Sequence, residues 1–155
     1  MELREPGVQN SPMCLLALAW NVHPRWRLLL AGNRDEFHAR PTAPLAPWAS
    51  APHVLAGRDL QSGGTWAGAD RQGRMAVVTN VRGGQAQPFT GPSRGALPVA
   101  FLAGGDTVSA HAQALTARAG RYAPFNLVLA DANGCAYIGN HPGSGAHAVA
   151  TGVHG

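Results

Sequence analysis

Apolar residues in the first half of the chain come in short runs cut by turn formers, and the spacing changes in the second half. Cys14-Leu15-Leu16-Ala17-Leu18-Ala19-Trp20 is continuously apolar and closed by Asn21 and Pro24, the pattern of a strand buried on both faces. Trp26 to Ala31 repeats the pattern after a short turn. The two segments are expected to pair as a hairpin that leaves Gly32 and the polar Asn33-Arg34-Asp35-Glu36 at the end of a central strand. The proline-rich passage from Arg40 to Pro52 cannot continue a ladder and is expected to cross the surface as a loop. Val54 to Ala56, Thr65 to Ala67 and Met75 to Asn80 read as further strands, with a turn at Gly63-Gly64.

Ser93 to Ala103 and Asp106 to Ala119 read as helices. The second is expected to start on Asp106 as N-cap, to bury Val108, Ala112 and Leu115 on one face, and to stop at Gly120. Strands return at Asn126 to Ala130, Ala136 to Gly139 and Ala148 to Val153. The order strands, helices, strands predicts an α+β layered fold with the helices over one sheet face. The last strand stops at Gly152-Val153-His154-Gly155 with no capping element after it, which leads us to expect a partial chain.

Bulk properties narrow the function classes. A chain of 155 residues holds one ordinary domain with a sizeable core. All twelve basic residues are arginine, the net charge is only +4, and the arginines form no run or stripe, so no nucleic-acid partner is expected. Cys14 and Cys135 are too few for a disulfide framework, which sets a reduced cytoplasm as the expected compartment. Met1 to Pro12 lacks the apolar core of a secretory signal, and the apolar run after it is too short to span a bilayer. The seven histidines show no paired metal-ligand spacing, so no metal site is expected. Trp20, Trp26, Trp48 and Trp66 read as core and loop anchors, and the glycine-rich Gly57 to Gly68 as turns that allow close backbone approach.

Two features carry candidate chemistry. Asn33-Arg34-Asp35-Glu36 is the densest polar cluster in a chain with 13% charged residues. It is either a solvated strand-end turn or a positioned Arg and carboxylate group that orients a nucleophile or holds a polar substrate. Cys14 directly follows Met13. It is either a buried structural thiol or, if the chain is made to begin there, a nucleophile carrying its own α-amino base, whose pKa of roughly 7.7–8.0 suits that role. Met1 to Pro12 would then be a disordered extension or a start-site artefact.

Met13-Cys14-Leu15-Leu16, Ala31-Gly32-Asn33-Arg34-Asp35-Glu36-Phe37, Arg40-Pro41-Thr42, Ala56-Gly57-Arg58-Asp59, Gly63-Gly64-Thr65-Trp66, Thr79-Asn80-Val81-Arg82 and Ser93-Arg94-Gly95 stand in order along the chain. Together they resemble the NRDE family, the transport and Golgi organisation protein 2 family, with residues 13–155 as the N-terminal part of one family domain. That family looks related to the cysteine branch of the N-terminal-nucleophile hydrolases, so the resemblance implies a four-layer αββα fold, present in part, and hydrolysis of an amide bond.

Residue by residue, Cys14 matches that branch's nucleophile and Asn80 its oxyanion-hole asparagine. Arg34 and Asp35 match its Arg and Asp in residue type, although they are adjacent here and separated there. Asn33, Glu36, Arg58 and Trp66, in the same motifs, are candidates for substrate binding. The implied partner is a small molecule, with no cofactor required, and the oligomeric state stays open. The alternative implied by the resemblance is a non-catalytic carrier of haem or an acyl lipid, with an accessible His, Cys or Tyr as axial ligand in the haem case.

Overall fold

The computed structural model describes residues 14–81 and 89–155. The expectation for Met1 to Pro12 falls outside them. Among the described residues ten strands form two antiparallel sheets. In the small sheet β1 (Leu16–Trp20) lies between β10 (Gly152–His154) and β2 (Leu28–Gly32). The large sheet runs β3 (Thr42–Trp48), β4 (Ala51–Asp59), β5 (Ala67–Asp70), β6 (Met75–Asn80), β7 (Phe125–Ala130), β8 (Cys135–Gly139) and β9 (Ala146–Ala148) in that spatial order. Between β6 and β7 the chain forms α1 (Ala96–Ala103), α2 (Val108–Thr116) and a 3₁₀ turn at Ala119–Arg121.

The period of two in the strands sorts the side chains into two cores. Ala76, Val78, Phe125, Leu127, Leu129, Ala136 and Ile138 point to the helices, where they meet Leu97, Phe101, Leu102 and Leu115. Val77, Val128, Ala130 and Cys135 point the other way and meet Leu18 and Trp20 of the small sheet. The large sheet is thus the middle of three layers, buried on both faces at β6, β7 and β8. The mixed α+β class and the helices over one sheet face agree with the sequence reading.

Several elements differ from that reading, each for a local reason. The Arg40 to Pro52 passage is not a loop: β3 pairs with β4 as a hairpin. Its two prolines, Pro44 and Pro47, are tolerated because β3 is an edge strand and its register shifts between Ala43 and Ala46 and again after Pro47. β1 is buried on alternate residues only, and β2 is an edge strand with no fully buried residue, so the charged tetrad leaves an edge and not the centre of a sheet. β5 begins at Ala67 because Thr65 spends its N–H on the Gly95 carbonyl and its hydroxyl on the Ala67 carbonyl.

α1 begins at Ala96, with Ser93 to Gly95 forming the turn before it. Thr107, not Asp106, caps α2 by accepting a hydrogen bond from the Ala110 N–H at 3.3 Å. That helix ends at Thr116, and the 3₁₀ turn completes the segment. Ala148 to Val153 is two strands in different sheets. Gly152, at φ +154°, makes the crossing in a conformation that side chains disfavour. No helix among the described residues is long and apolar enough to cross a membrane.

Candidate functional site

The site is built where β1 begins and β2 ends. The Leu15 N–H donates to Asn33 Oδ1 at 2.8 Å and the Asn33 N–H to the Leu15 carbonyl at 3.1 Å, so a residue beyond each strand is tied to the other. Gly32 permits this approach, since a Cβ there would lie 2.8 Å from the Leu15 carbonyl oxygen. The tie brings the following turn over Cys14, and the Asp35 N–H donates to Cys14 Sγ at 3.3 Å.

Cys14 is half-buried and lines a small polar cavity of about 120 Å³ together with Arg34, Asp35, Glu36, Trp66 and Asn80. Six of the eight sequence-predicted residues therefore meet in one place. The Asn80 side-chain amide makes no hydrogen bond to any described residue. Asn33 does not line the cavity and acts as the tie just described. Arg58 faces an adjoining cavity of about 140 Å³, which Arg34 and Trp66 also line. Its guanidinium stacks 4.7 Å over the Trp48 ring and donates to the Gly63 carbonyl.

The sequence reading did not single out Arg40, Asp59, Thr65, Val78, Ser93, Arg94 and Gly95, which complete the lining. All but Val78 lie inside the ordered motifs, so the signal was present and only their roles were missing. Glu36 sits between Arg34 and Arg40, 3.6 Å from each, and Arg40 binds Asp59 through Nη2 at 2.6 Å and Nε at 3.1 Å. Burial works to raise the Asp59 carboxyl. Donation from Arg40, from the Ser62 hydroxyl and from the Gln61 N–H outweighs it and holds the group well below the usual carboxylate range. The cavity wall is a fixed lattice of alternating charge and not a one-sign patch.

At the far wall Gly64 packs against the turn before α1 so closely that a Cβ would lie 2.5 Å from the Gly95 carbonyl carbon, whereas Gly63 is required by its φ of +77°. Cys14 also lines a second, larger cleft of about 570 Å³ between the sheets, walled by Leu15, Leu16 and Leu18 on one side and Thr79, Asn126, Val128 and Tyr137 on the other. The other thiol is different in kind. Cys135 is buried, and desolvation, with Asp131 nearby, pushes it up to about 11. Among the described residues no three His, Cys, Asp or Glu side chains are grouped to hold a metal ion.

Fold and site together define an α+β protein with a half-buried thiol at the meeting point of a charged cavity and an apolar cleft. The chain belongs to the Transport and Golgi organisation 2 family, whose model matches residues 13–155. It is similar to the Transport and Golgi organization protein 2 homolog of Bos taurus, 33% identical over an alignment of 129 residues, with 77% of this chain and 45% of that protein covered. The Homo sapiens homolog is 31% identical over 126 residues, with the same 77% and 45% shares. The Drosophila melanogaster protein is 31% identical over 131 residues, 75% of this chain and 45% of that one. The chain thus spans about half the length of these relatives.

Proposed function

We infer that this site is the nucleophile centre of a cysteine amide hydrolase of the N-terminal-nucleophile type, and that the α, β and β layers described above belong to an αββα arrangement. The observation that carries the reading is the convergence on one cavity of a thiol held by a peptide N–H and an asparagine side-chain amide with no hydrogen bond to another described residue. In this reading cleavage after Met13 frees the Cys14 amine. Cys14 Sγ attacks the substrate carbonyl carbon and its proton passes to that amine. The oxyanion accepts a hydrogen bond from Asn80 Nδ2. Collapse breaks the C–N bond, the protonated amine gives its proton to the leaving nitrogen, and water then hydrolyses the thioester with the same amine as base. Arg34 and Asp35 fix the substrate and the nucleophile, and the Arg40–Asp59 pair holds Glu36 and, through it, Arg34.

A carrier that holds haem or an acyl lipid without turnover is the second reading. It draws on the apolar cleft, where Tyr137, His147, His154 and Cys14 are side chains of the types that ligate haem iron.

Release of free amine from a panel of N-acyl amides, assayed with the full chain and with the chain begun at Cys14, separates the two. Turnover by the shorter form, abolished by Cys14→Ala and lowered on the order of 10²–10³-fold by Asn80→Ala, is the expected result. Ligand retention by both forms with no amine released overturns the hydrolase reading.

A further inference from the structure

The cleft holds a polar chain that the proposed chemistry does not use. Asn126 Oδ1 accepts from the Tyr137 hydroxyl at 2.6 Å and from His141 Nε2 at 2.8 Å. Those two donors occupy the oxygen's lone pairs and turn the amide nitrogen toward β6, where it donates to Thr79 Oγ1 at 3.2 Å. The residues are brought together by strand register: Thr79 pairs with Asn126 across β6 and β7, and Asn126 with Gly139 across β7 and β8. Burial pushes the Tyr137 phenol up, so it stays protonated and donating across the neutral range.

His141 Nε2, which also lies 3.3 Å from the Tyr137 hydroxyl, donates to Asn126 in its Nε2-protonated tautomer, and Asn126 passes its own hydrogen bond on to Thr79. The Thr79 hydroxyl, having accepted, keeps its own proton, which no described residue takes up. Thr79 is buried and lines the cleft opposite Leu15, Leu16 and Leu18. No Arg, Asp or Glu stands among the described residues lining that cleft, whose ionisable side chains besides Cys14 and Tyr137 are His147 and His154, the latter with its Nε2 engaged by the Ala150 carbonyl.

We propose that the intersheet cleft is a binding site for a neutral, largely apolar molecule bearing an acceptor oxygen, a ketone, ester or amide carbonyl, which takes the hydrogen bond of the Thr79 hydroxyl. A carboxylate or phosphate would be desolvated in this cleft with no permanently charged cation among the described lining residues to meet it, only His147 and His154. A pure hydrocarbon would leave the buried hydroxyl proton unpaired. The site stands beside Cys14 whether or not the thiol turns anything over, and its test reads binding alone.

Benzophenone and diphenylmethane differ in the carbonyl oxygen and little else, and both can displace the neutral fluorescent probe 1-aminoanthracene from an apolar cleft. With the full chain we expect benzophenone to bind more tightly than diphenylmethane by on the order of tenfold. Thr79→Val should remove that preference while leaving diphenylmethane binding within about twofold, and Tyr137→Phe should weaken the preference in the same direction. Leu18→Trp, which fills the cleft wall, should weaken both ligands. The assay reads displacement and not turnover, so failure of the hydrolase reading does not touch it. Equal or tighter binding of the hydrocarbon by the unmodified protein, a preference that survives Thr79→Val, or no displacement by either compound overturns the proposal.

Discussion

Two hydrogen bonds tie Asn33 to Leu15, and through them one exposed asparagine sets the distance between the nucleophile candidate and the charged turn. The sequence marked Asn33 as part of a polar cluster facing a ligand, and the fold uses it as a clasp instead. That distinction was not legible, because a side chain that accepts from a backbone N–H eighteen positions away leaves no local pattern. Cys14 was marked by the Met13 before it and Asn80 by the resemblance of its motif, and both line the cavity.

The two thiols provide the prediction at this scale. Cys14 is half-buried on two cavities, whereas Cys135 is 3% exposed and its proton is held by burial. Iodoacetamide on the native protein should alkylate Cys14 alone, with Cys135 reacting only in denaturant, as read by peptide mass mapping. Equal labelling of both under native conditions would contradict the geometry.

Elements with a strong internal period were the legible ones: β6 is found at its expected bounds, and the buried face of α2 includes the expected Val108, Ala112 and Leu115. The missed ones were decided by neighbours. β3 contains two prolines that argue against a ladder, yet it pairs because the edge position asks for hydrogen bonds on one side only. The segment after β8 looked like one strand, and its division between two sheets depends on a three-layer geometry that no local window contains.

The helix pair carries a pH prediction. His111 of α2 is buried edge-on to Phe101, with Nδ1 3.4 Å from Asp106 and Nε2 unbonded among the described residues. Burial lowers its pKa from the ordinary 6.5 against the opposing pull of Asp106. The unfolded chain therefore binds the proton first, and stability falls as pH drops below about 6.5 toward the folded value. Asp59, depressed in the folded state, contributes in a separate window: its stabilisation is full above the ordinary carboxylate value and is lost as pH falls below it. Urea midpoints at pH 7.5 and 5.5 should show a decline that His111→Leu flattens. An unchanged slope in that variant would assign the decline elsewhere.

At the scale of the whole molecule the layers are unequally covered. The helices close one face of the large sheet and the small sheet packs on the other. The outer face of the small sheet presents Ala17, Leu29, Ala31 and Val153, and all four are exposed. Leu29 is 44% and Val153 76% exposed. A contiguous apolar sheet face of this kind promotes association. Light scattering should therefore find this chain associating as concentration rises, with Leu29→Lys shifting the onset to higher concentration. A monodisperse monomer across the range would mean that this face is covered. The α+β class was legible from the order of elements, but which residues form this outer face was not, because that depends on which side of β1 the large sheet occupies.

The central claim is that Cys14, beneath the Asp35 N–H and beside Asn80, is a nucleophile toward an acyl carbon. It is tested most directly by quenching the chain begun at Cys14 in acid during reaction with an activated N-acyl amide and locating any added mass by peptide mapping. The account predicts the acyl mass on the Cys14 peptide, labile to hydroxylamine as a thioester is, and absent in Cys14→Ala. An acyl group found on any other residue, or substrate recovered intact from a protein of unchanged mass, would contradict it.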